Sequence, residues 1–486
     1  LSTLQRLFKQ TFIYGLATVL PRMLNFFLVP LYTSPGVLNS VAEYGTVSVI
    51  FSWFVMFNVV LAYGMETAFF RFFNKEKNQD IVVGTSTISL IISSLGFFIL
   101  ALVFQNQIAY ITEIKVEYIK LVIWILLLDA LVIIPFAWLR ANEKSMTYAI
   151  IKIINVAINL GLNLFFLLAL SDLSEQFEFL NSIYRENYQI NYIFIANLIA
   201  SAVTLLLLLS FYLKVKYHFN TDLWKRMMRY AFPVLIAGLA FSVNETFDRI
   251  LLSKLLPEGI ADTQVGMYSA CYKLALFMTL FATAYRLGIE PFFFSHANTK
   301  NPQKNYAKIL EFFVTIGSLI LLGVIVFADL LKLIVIRSEA YWDAMSVVPI
   351  ILLAYLFLGM YHNLSVWYKI TDRTKFGAYI SIFGALVTLV LNFWLIPIIS
   401  YRGSAIATLA AYASMVGLSY YFGKKYYPIP YNIKKISAYI LTSVIFSILS
   451  FYFFRENYGV GIALLIVFVL IIYKFEKQDI QNLLNR

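Results

Sequence analysis

The sequence predicts an all-α polytopic membrane protein. Fourteen transmembrane helices form two parallel six-helix repeats, an N-lobe and a C-lobe, that face a central cavity and are followed by a C-terminal helix hairpin. Three observations predict this class. The composition is too apolar for a soluble globule, apolar runs of bilayer-spanning length occur fourteen times, and the basic residues between the runs alternate from dense to sparse.

The 486 residues are 61% hydrophobic and only 13% charged, with a mean hydropathy of +0.78. A soluble domain is roughly 45–50% apolar and about 25% charged. Since a bilayer-crossing helix takes about 20 apolar residues, fourteen of them leave only short connections and no large soluble domain. The single cysteine, Cys271, excludes a disulfide framework and a thiolate metal cluster. His218, His296 and His362 are too scattered to form a ligand set. A net charge of +12 could suggest nucleic acid, but the Lys and Arg residues lie in small, regularly placed groups, so no nucleic-acid partner is expected. The opening LSTLQRLFKQ runs into the first span without a small-residue cleavage site, so no cleavable signal is expected.

The spans are expected at 11–32, 44–66, 81–104, 118–139, 146–170, 191–213, 230–253, 265–288, 307–328, 344–368, 376–399, 403–422, 436–454 and 458–473. Runs such as LIASAVTLLLLLS lack the two-residue alternation of a transmembrane barrel, so they are helices. Alternate connecting segments, counted from the N-terminus and including Lys308 at the start of span nine, hold 25 Lys and Arg residues against 7 in the segments between them. The positive-inside rule then places both termini in the cytoplasm. A missed or spurious span would scramble the alternation, so the same count supports fourteen.

An internal duplication follows. YGTVS with Gly45 and Ser48 opens span two, and VGMYS with Gly266 and Ser269 opens span eight. Span two leads into AYGMETAFFRFFNKEKN and span eight into AYRLGIEPFFFSHANTKN. Arg140-Ala-Asn-Glu143 matches Lys369-Ile-Thr-Asp372, and Leu162-Asn163-Leu164-Phe165 matches Leu391-Asn392-Phe393-Trp394. Six spans per unit is an even number, so the halves point the same way and form a parallel repeat about an axis along the membrane normal. Residues 1–217 make the N-lobe, 218–428 the C-lobe and 429–486 the added hairpin with a cytoplasmic tail. The polar stretch 171–190 is an insertion in an outer loop of the first half.

Ionisable residues inside a bilayer cost about 2.5–3.5 kcal/mol each on insertion scales and normally face an interior or a watery cavity. Those deepest here are Arg22, Asp129, Lys152, Glu245, Asp248, Arg249 and Lys273. On span five, Lys152, Asn155, Asn159 and Asn163 recur at helical spacing as one polar stripe, expected to line the cavity; interhelical hydrogen bonding is the alternative. On span seven, Glu245 and Arg249 are four residues apart, as are Asn244 and Asp248. Pairing of Glu245 with Arg249 leaves Asp248 as the less compensated carboxylate, able to take up a proton or, with Asn244, to hold sodium; a static salt bridge is the alternative. Arg22, which follows Pro21 and lies near Asn25, offers a forked cation suited to phosphate or an internal ion pair with Asp129. Lys273 reads similarly. Glu66, Arg71, Arg286 and Glu290 sit near the cytoplasmic ends of spans two and eight, as gate charges or as interface charges.

The six plus six plus two arrangement, the start FKQTFIYGLATVLPRMLNFFLVPLYT, the segment AYGMETAFFRFF and the turn LRANEKS resemble the polysaccharide-transporter branch of the multidrug/oligosaccharidyl-lipid/polysaccharide flippase superfamily. The resemblance covers nearly the whole chain and includes O-antigen or capsule repeat-unit flippases and, more distantly, the lipid II flippase. It implies an inner-membrane protein without covalent chemistry or a cofactor. Such a protein moves undecaprenyl-pyrophosphate-linked oligosaccharide outward by alternating access, with a proton or sodium ion as the coupling ion. Implied partners are the lipid-linked oligosaccharide, membrane lipids, a polysaccharide polymerase and a chain-length regulator. The resemblance makes Arg22 the best match to a pyrophosphate-binding cavity arginine, with Lys152, Arg249 and Lys273 as additions, and it assigns the hairpin to a groove for the lipid tail. Three acids beside four cations depart from a simple anion trap and favour neutral or mixed-charge sugars or coupling to a cation. The rivals are a cation-coupled multidrug exporter of the same fold and, from another class, a membrane-embedded polymerase or acyltransferase. The short outer loops and the duplication weigh against the latter.

Overall fold

The computed structural model describes residues 26–295 and 301–484. Among the described residues, 13 helices are long and apolar enough to cross a membrane. They coincide with spans two to fourteen of the sequence: Val41–Lys75, Gln79–Val103, Val116–Ala141, Ser145–Gln176, Gln189–Lys214, Thr221–Leu255, Ala261–Arg286, Pro302–Val326, Glu339–Ile370, Lys375–Ile399, Tyr401–Tyr426, Ile433–Phe453 and Tyr458–Lys477. Span one lies mostly outside the described residues, so the count of fourteen rests on the sequence. The insertion 171–190 holds the end of span five and the one-turn helix Glu178–Asn181.

Local chemistry sets where the spans start and bend. Ser40 caps span two by accepting from the Glu43 backbone N–H, and Asn220 caps span seven by accepting from the Leu223 N–H at 2.8 Å. Tyr63 and Gly64, both at positive φ, interrupt span two. A Cβ on Gly64 would overlap the carbonyl oxygen of Ala231, so the glycine lets span seven lie against this turn. Span four breaks into Val116–Leu131 and Ile133–Ala141. Pro135 has no N–H to offer the Leu131 carbonyl four residues earlier, and that carbonyl instead accepts the Tyr212 hydroxyl from span six.

By contact the chain divides into two compact units, 1–266 and 267–486. Span seven, the first of the second sequence repeat, belongs to the first unit because it packs along span two and its continuation past Gly64. This division follows contacts and the boundary at 217 follows sequence pattern, which are different properties of the chain. The pairing of helices does repeat. Three packs on four, four on six and five on six in the first unit; nine packs on ten, ten on twelve and eleven on twelve in the second. The matched asparagines also behave alike. Asn163 donates to the Asn159 carbonyl at 2.8 Å and accepts the Tyr32 hydroxyl at 2.8 Å, while Asn392 donates to the Thr388 carbonyl at 2.7 Å and accepts the Ser404 hydroxyl at 2.8 Å.

The hairpin of spans thirteen and fourteen belongs to the second unit and docks on span nine. Phe468 is fully buried against Leu322 and Val326, and the Ser443 hydroxyl donates to the Ser318 carbonyl at 2.7 Å. Ion pairs fasten both ends. At one, Lys435 of span thirteen lies 3.3 Å from Glu311 of span nine and 2.6 Å from Glu476 of span fourteen. At the other, Arg455 in the hairpin turn grips both Asp329 carboxylate oxygens, at 3.0 and 2.9 Å, and Lys332 adds a third bond at 2.6 Å.

Burial raises the Asp329 carboxyl, but the hydrogen bonds from Arg455 and Lys332 outweigh it and hold the group below its ordinary value of 3.8. A depressed carboxylate contributes its stability at neutral pH and loses it as the pH falls through its folded value. Asp329→Asn is therefore expected to cost about 2 kcal/mol, the scale of a hydrogen bond to a charged group. Thermal unfolding of the detergent-solubilised protein should show a loss at pH 7 that shrinks toward zero below pH 3.8.

Candidate functional site

The polar interior of the first unit lies among spans four, five and six. Pro135 and the break before it split span four, and Asp129 lies near the end of its first segment, Val116–Leu131. Its carboxylate accepts the Ser201 hydroxyl of span six at 2.7 Å and interacts electrostatically with Lys152 of span five. The Lys152 ammonium lies 4.2 Å from the centre of the Phe136 ring, a cation–π contact that partly replaces its lost hydration. Further along the stripe, Asn155 donates to Thr204 Oγ1 of span six at 2.9 Å. Asn159 and Asn163 are buried and bonded to each other, with Nδ2 of Asn163 3.0 Å from Oδ1 of Asn159. The stripe therefore divides in use. Asn155 and Asn163 join span five to other helices, Asn159 supports Asn163, and Lys152 faces a carboxylate.

Span seven shows a different pairing from the one its spacing suggests. Arg249 does not pair with the Glu245 side chain. Its Nη1 lies 3.1 Å from Asp248 Oδ1 and reaches only the main-chain carbonyl of Glu245, at 3.2 Å. The Arg249 backbone N–H also donates to Asp248, at 2.8 Å. The physical reason is burial. Asp248 is 2% exposed, and the more buried carboxylate is the one that most needs a counter-charge. Asn244, one turn away, is also buried.

Two of the expected gate or interface charges, Glu66 and Arg71, meet other spans. Glu66 pairs with Arg140 at the end of span four, and Arg140 also lies over the Phe70 ring at 4.8 Å. Arg71 stacks on Tyr230 of span seven at 4.3 Å. Nearby, Arg226 of span seven bonds Glu76 at 2.8 Å, so this end of span seven is tied to span two and its continuation by a guanidinium in each direction. Lys273 begins a 3-10 turn, Lys273–Ala275, that interrupts span eight; it and Arg286 lie in the second unit. Glu290 lies on the helix Leu276–Ser295, with its side chain outside the described residues. Arg22 and Asn25 also lie outside them.

Sequence reasoning missed Arg140, Ser201, Thr204 and Tyr32 as members of this network. Arg140 counts as a connecting-loop charge in a topology tally, and single hydroxyls in apolar runs carry no periodic signal. What the arrangement offers chemically is a short series of charges, Glu66, Arg140, Lys152 and Asp129, in which Lys152 interacts electrostatically with both Arg140 and Asp129. It can hold an anion at a cation and balance it at a carboxylate. A separate cavity of about 50 Å³ between spans two, three and four, lined by Ile50, Phe57, Phe97 and Ile123 among others, is wholly apolar and suits no charged group.

A family model described as polysaccharide biosynthesis protein matches residues 7–286, and a second, MatE, matches residues 233–394. No curated protein matches the chain. Among solved structures the chain is similar to lipid II flippase MurJ in an inward closed conformation, with a TM-score of 0.70 and 16% identity over 95% of this chain and 99% of that one. It is similar to an inward-facing multidrug resistance MATE family transporter of the MOP superfamily, with a TM-score of 0.65 and 14% identity over 86% and 95%. A MOP superfamily transporter from Pyrococcus furiosus Vc1 (DSM3638) gives 0.61 and 14% over 89% and 96%. At these identities the likeness is one of fold.

The two acids of span seven should separate experimentally. Asp248→Asn removes the buried carboxylate that Arg249 bonds, at a cost of about 3–5 kcal/mol, whereas Glu245→Gln breaks no ion pair with Arg249 and should cost less than half as much. Thermal unfolding of the two purified variants in detergent checks the order.

Proposed function

The chain belongs to the polysaccharide biosynthesis protein family, and from that premise we propose that it is a flippase for lipid-linked oligosaccharide. It carries undecaprenyl-pyrophosphate-linked sugars from the cytoplasmic to the periplasmic leaflet of a bacterial inner membrane, with both termini cytoplasmic and no covalent chemistry. The observation that carries the reading is the family match over residues 7–286, and the charged interior of spans four to six supports it.

In this reading Lys152 and Arg22 bind the pyrophosphate, with Arg140 at the entrance. Asp129 is the counter-charge of Lys152 while the site is empty. Protonation of Asp129 removes that counter-charge, so proton uptake and anion binding reinforce one another, and by linkage each strengthens the other equally. The lipid tail stays in the bilayer against the hairpin, and a polymerase and chain-length regulator receive the product. The MatE match over 233–394 favours a second reading, a cation-coupled multidrug exporter. A lipid II flippase is a third.

The test is flipping of a fluorescent undecaprenyl-pyrophosphate oligosaccharide in proteoliposomes under an imposed proton or sodium gradient. Lys152→Met and Arg22→Ala are each expected to slow flipping about tenfold or more, since one charge-assisted contact contributes about 1.5–3 kcal/mol, while Lys152→Arg retains most activity. Drug efflux that survives Arg22→Ala, with no movement of the lipid-linked sugar, would establish the exporter instead.

A further inference from the structure

The turn between spans ten and eleven meets the end of span twelve over an aromatic floor. Trp367 of span ten is 1% exposed and stacks on Tyr426 of span twelve, with ring centres 6.0 Å apart. Phe376 of span eleven packs against both, at 5.2 Å in each case. Gly423 admits the indole, since a Cβ there would lie 2.9 Å from Trp367 Cδ1. Two exposed cations converge on this floor. The Arg373 guanidinium lies 4.3 Å from the centre of the Tyr426 ring, and the Lys425 ammonium 5.6 Å from it. The ring attracts each cation but does not cancel the repulsion between them. Neither cation is ion-paired among the described residues, and segments 369–375 and 424–425 set Lys369, Arg373, Lys375, Lys424 and Lys425 against Asp372 alone. Two like charges held on one ring without a counter-ion of the protein's own define a place for an anion.

We propose that Arg373 and Lys425 bind the phosphodiester of an anionic membrane phospholipid. The level of the site in the bilayer selects a lipid-borne phosphate over a soluble one. Tyr379 packs on Phe376 and Tyr421 on Phe422 beside the floor, and these two tyrosines are 62% and 64% exposed. Tyrosines exposed at the ends of spans mark the headgroup level, and basic residues there recognise anionic headgroups. The forked guanidinium can take two phosphate oxygens, and the ammonium adds a point charge, so one phosphate relieves the repulsion on the ring. The first unit supplies an internal comparison. In its turn between spans four and five, Trp138 stands where Trp367 does, and Glu143 and Asp372 both take positive φ, 56° and 55°. The Lys144 N–H donates to the Leu139 carbonyl as the Arg373 N–H donates to the Tyr368 carbonyl, both at 2.8 Å. Lys144 lies 4.3 Å from the centre of the Trp138 ring, and among the described residues no second cation shares that ring. The paired site of the second unit is therefore the stronger of the two.

Native mass spectrometry of the full chain, titrated with phosphatidylglycerol in detergent, reads the binding steps without any transport assay. Arg373→Gln/Lys425→Gln is expected to weaken the tightest step about tenfold or more, and Lys144→Gln less than about threefold. Arg373→Lys/Lys425→Arg should retain it. Lys77→Gln/Lys225→Gln removes the same charge from exposed positions elsewhere and should leave it unchanged. The proposal is overturned by full binding in Arg373→Gln/Lys425→Gln, by equal loss in the Lys77 and Lys225 control, or by equal binding of phosphatidylcholine. Displacement of the lipid by inorganic phosphate would reassign the site to a soluble anion, and preference for undecaprenyl pyrophosphate over phosphatidylglycerol would make it a substrate site; either result also overturns it.

Discussion

A carboxylate or ammonium buried among apolar helices has lost its water, and the energetic deficit is several kcal/mol unless the protein itself supplies a partner. Much of the polar architecture of this chain follows from that requirement. Asp129 takes a hydroxyl from Ser201 and sits beside Lys152, Lys152 leans on the Phe136 ring, and Asp248 is held by Arg249. Backbone groups obey the same rule. The Leu131 carbonyl that Pro135 cannot serve is taken by Tyr212. Except for Asp248 and Arg249, neighbours on span seven, these groups lie on different spans, so satisfying them also fastens helices together.

The fastenings differ in what they leave available. Asn155, Asn159 and Asn163 bond to helical neighbours, and such groups fix geometry. Lys152 has a ring and an electrostatic partner, and neither engages its three donors fully. A residue of that kind can accept a phosphate without dismantling a fold, because the partner it gives up is a charge that a proton can replace. That difference separates the structural polar residues of span five from its candidate ligand, although all four share one stripe.

Much of the fold was legible in the sequence for a physical reason. Hydrocarbon imposes a minimum run length on every span, and translocation imposes a charge bias on every connection, so both leave periodic marks. Spans two to fourteen are found where the apolar runs place them. The site was less legible. The spacing of Glu245 and Arg249 suggests a pair, but depth of burial sent Arg249 to its neighbour Asp248, and burial has no signature at a single position. Glu66 pairs with Arg140 at the end of span four, a tertiary contact that no local pattern carries. The duplication was visible through short matches such as Asn163 and Asn392, each of which donates to the carbonyl four residues earlier.

The double attachment of the hairpin has a mechanical consequence. A pair of helices held at one end only can swing, and its surface changes shape with every displacement of the body that carries it. Spans thirteen and fourteen are held near one end through Lys435 with Glu311 and Glu476, and at the turn through Arg455 with Asp329. Span nine and the hairpin therefore behave as a braced frame, stiff in bending, in which a push on span nine reaches the hairpin as translation or rotation of the whole. A lipid chain lying along such a frame meets a surface of constant contour, carried past it and never reshaped.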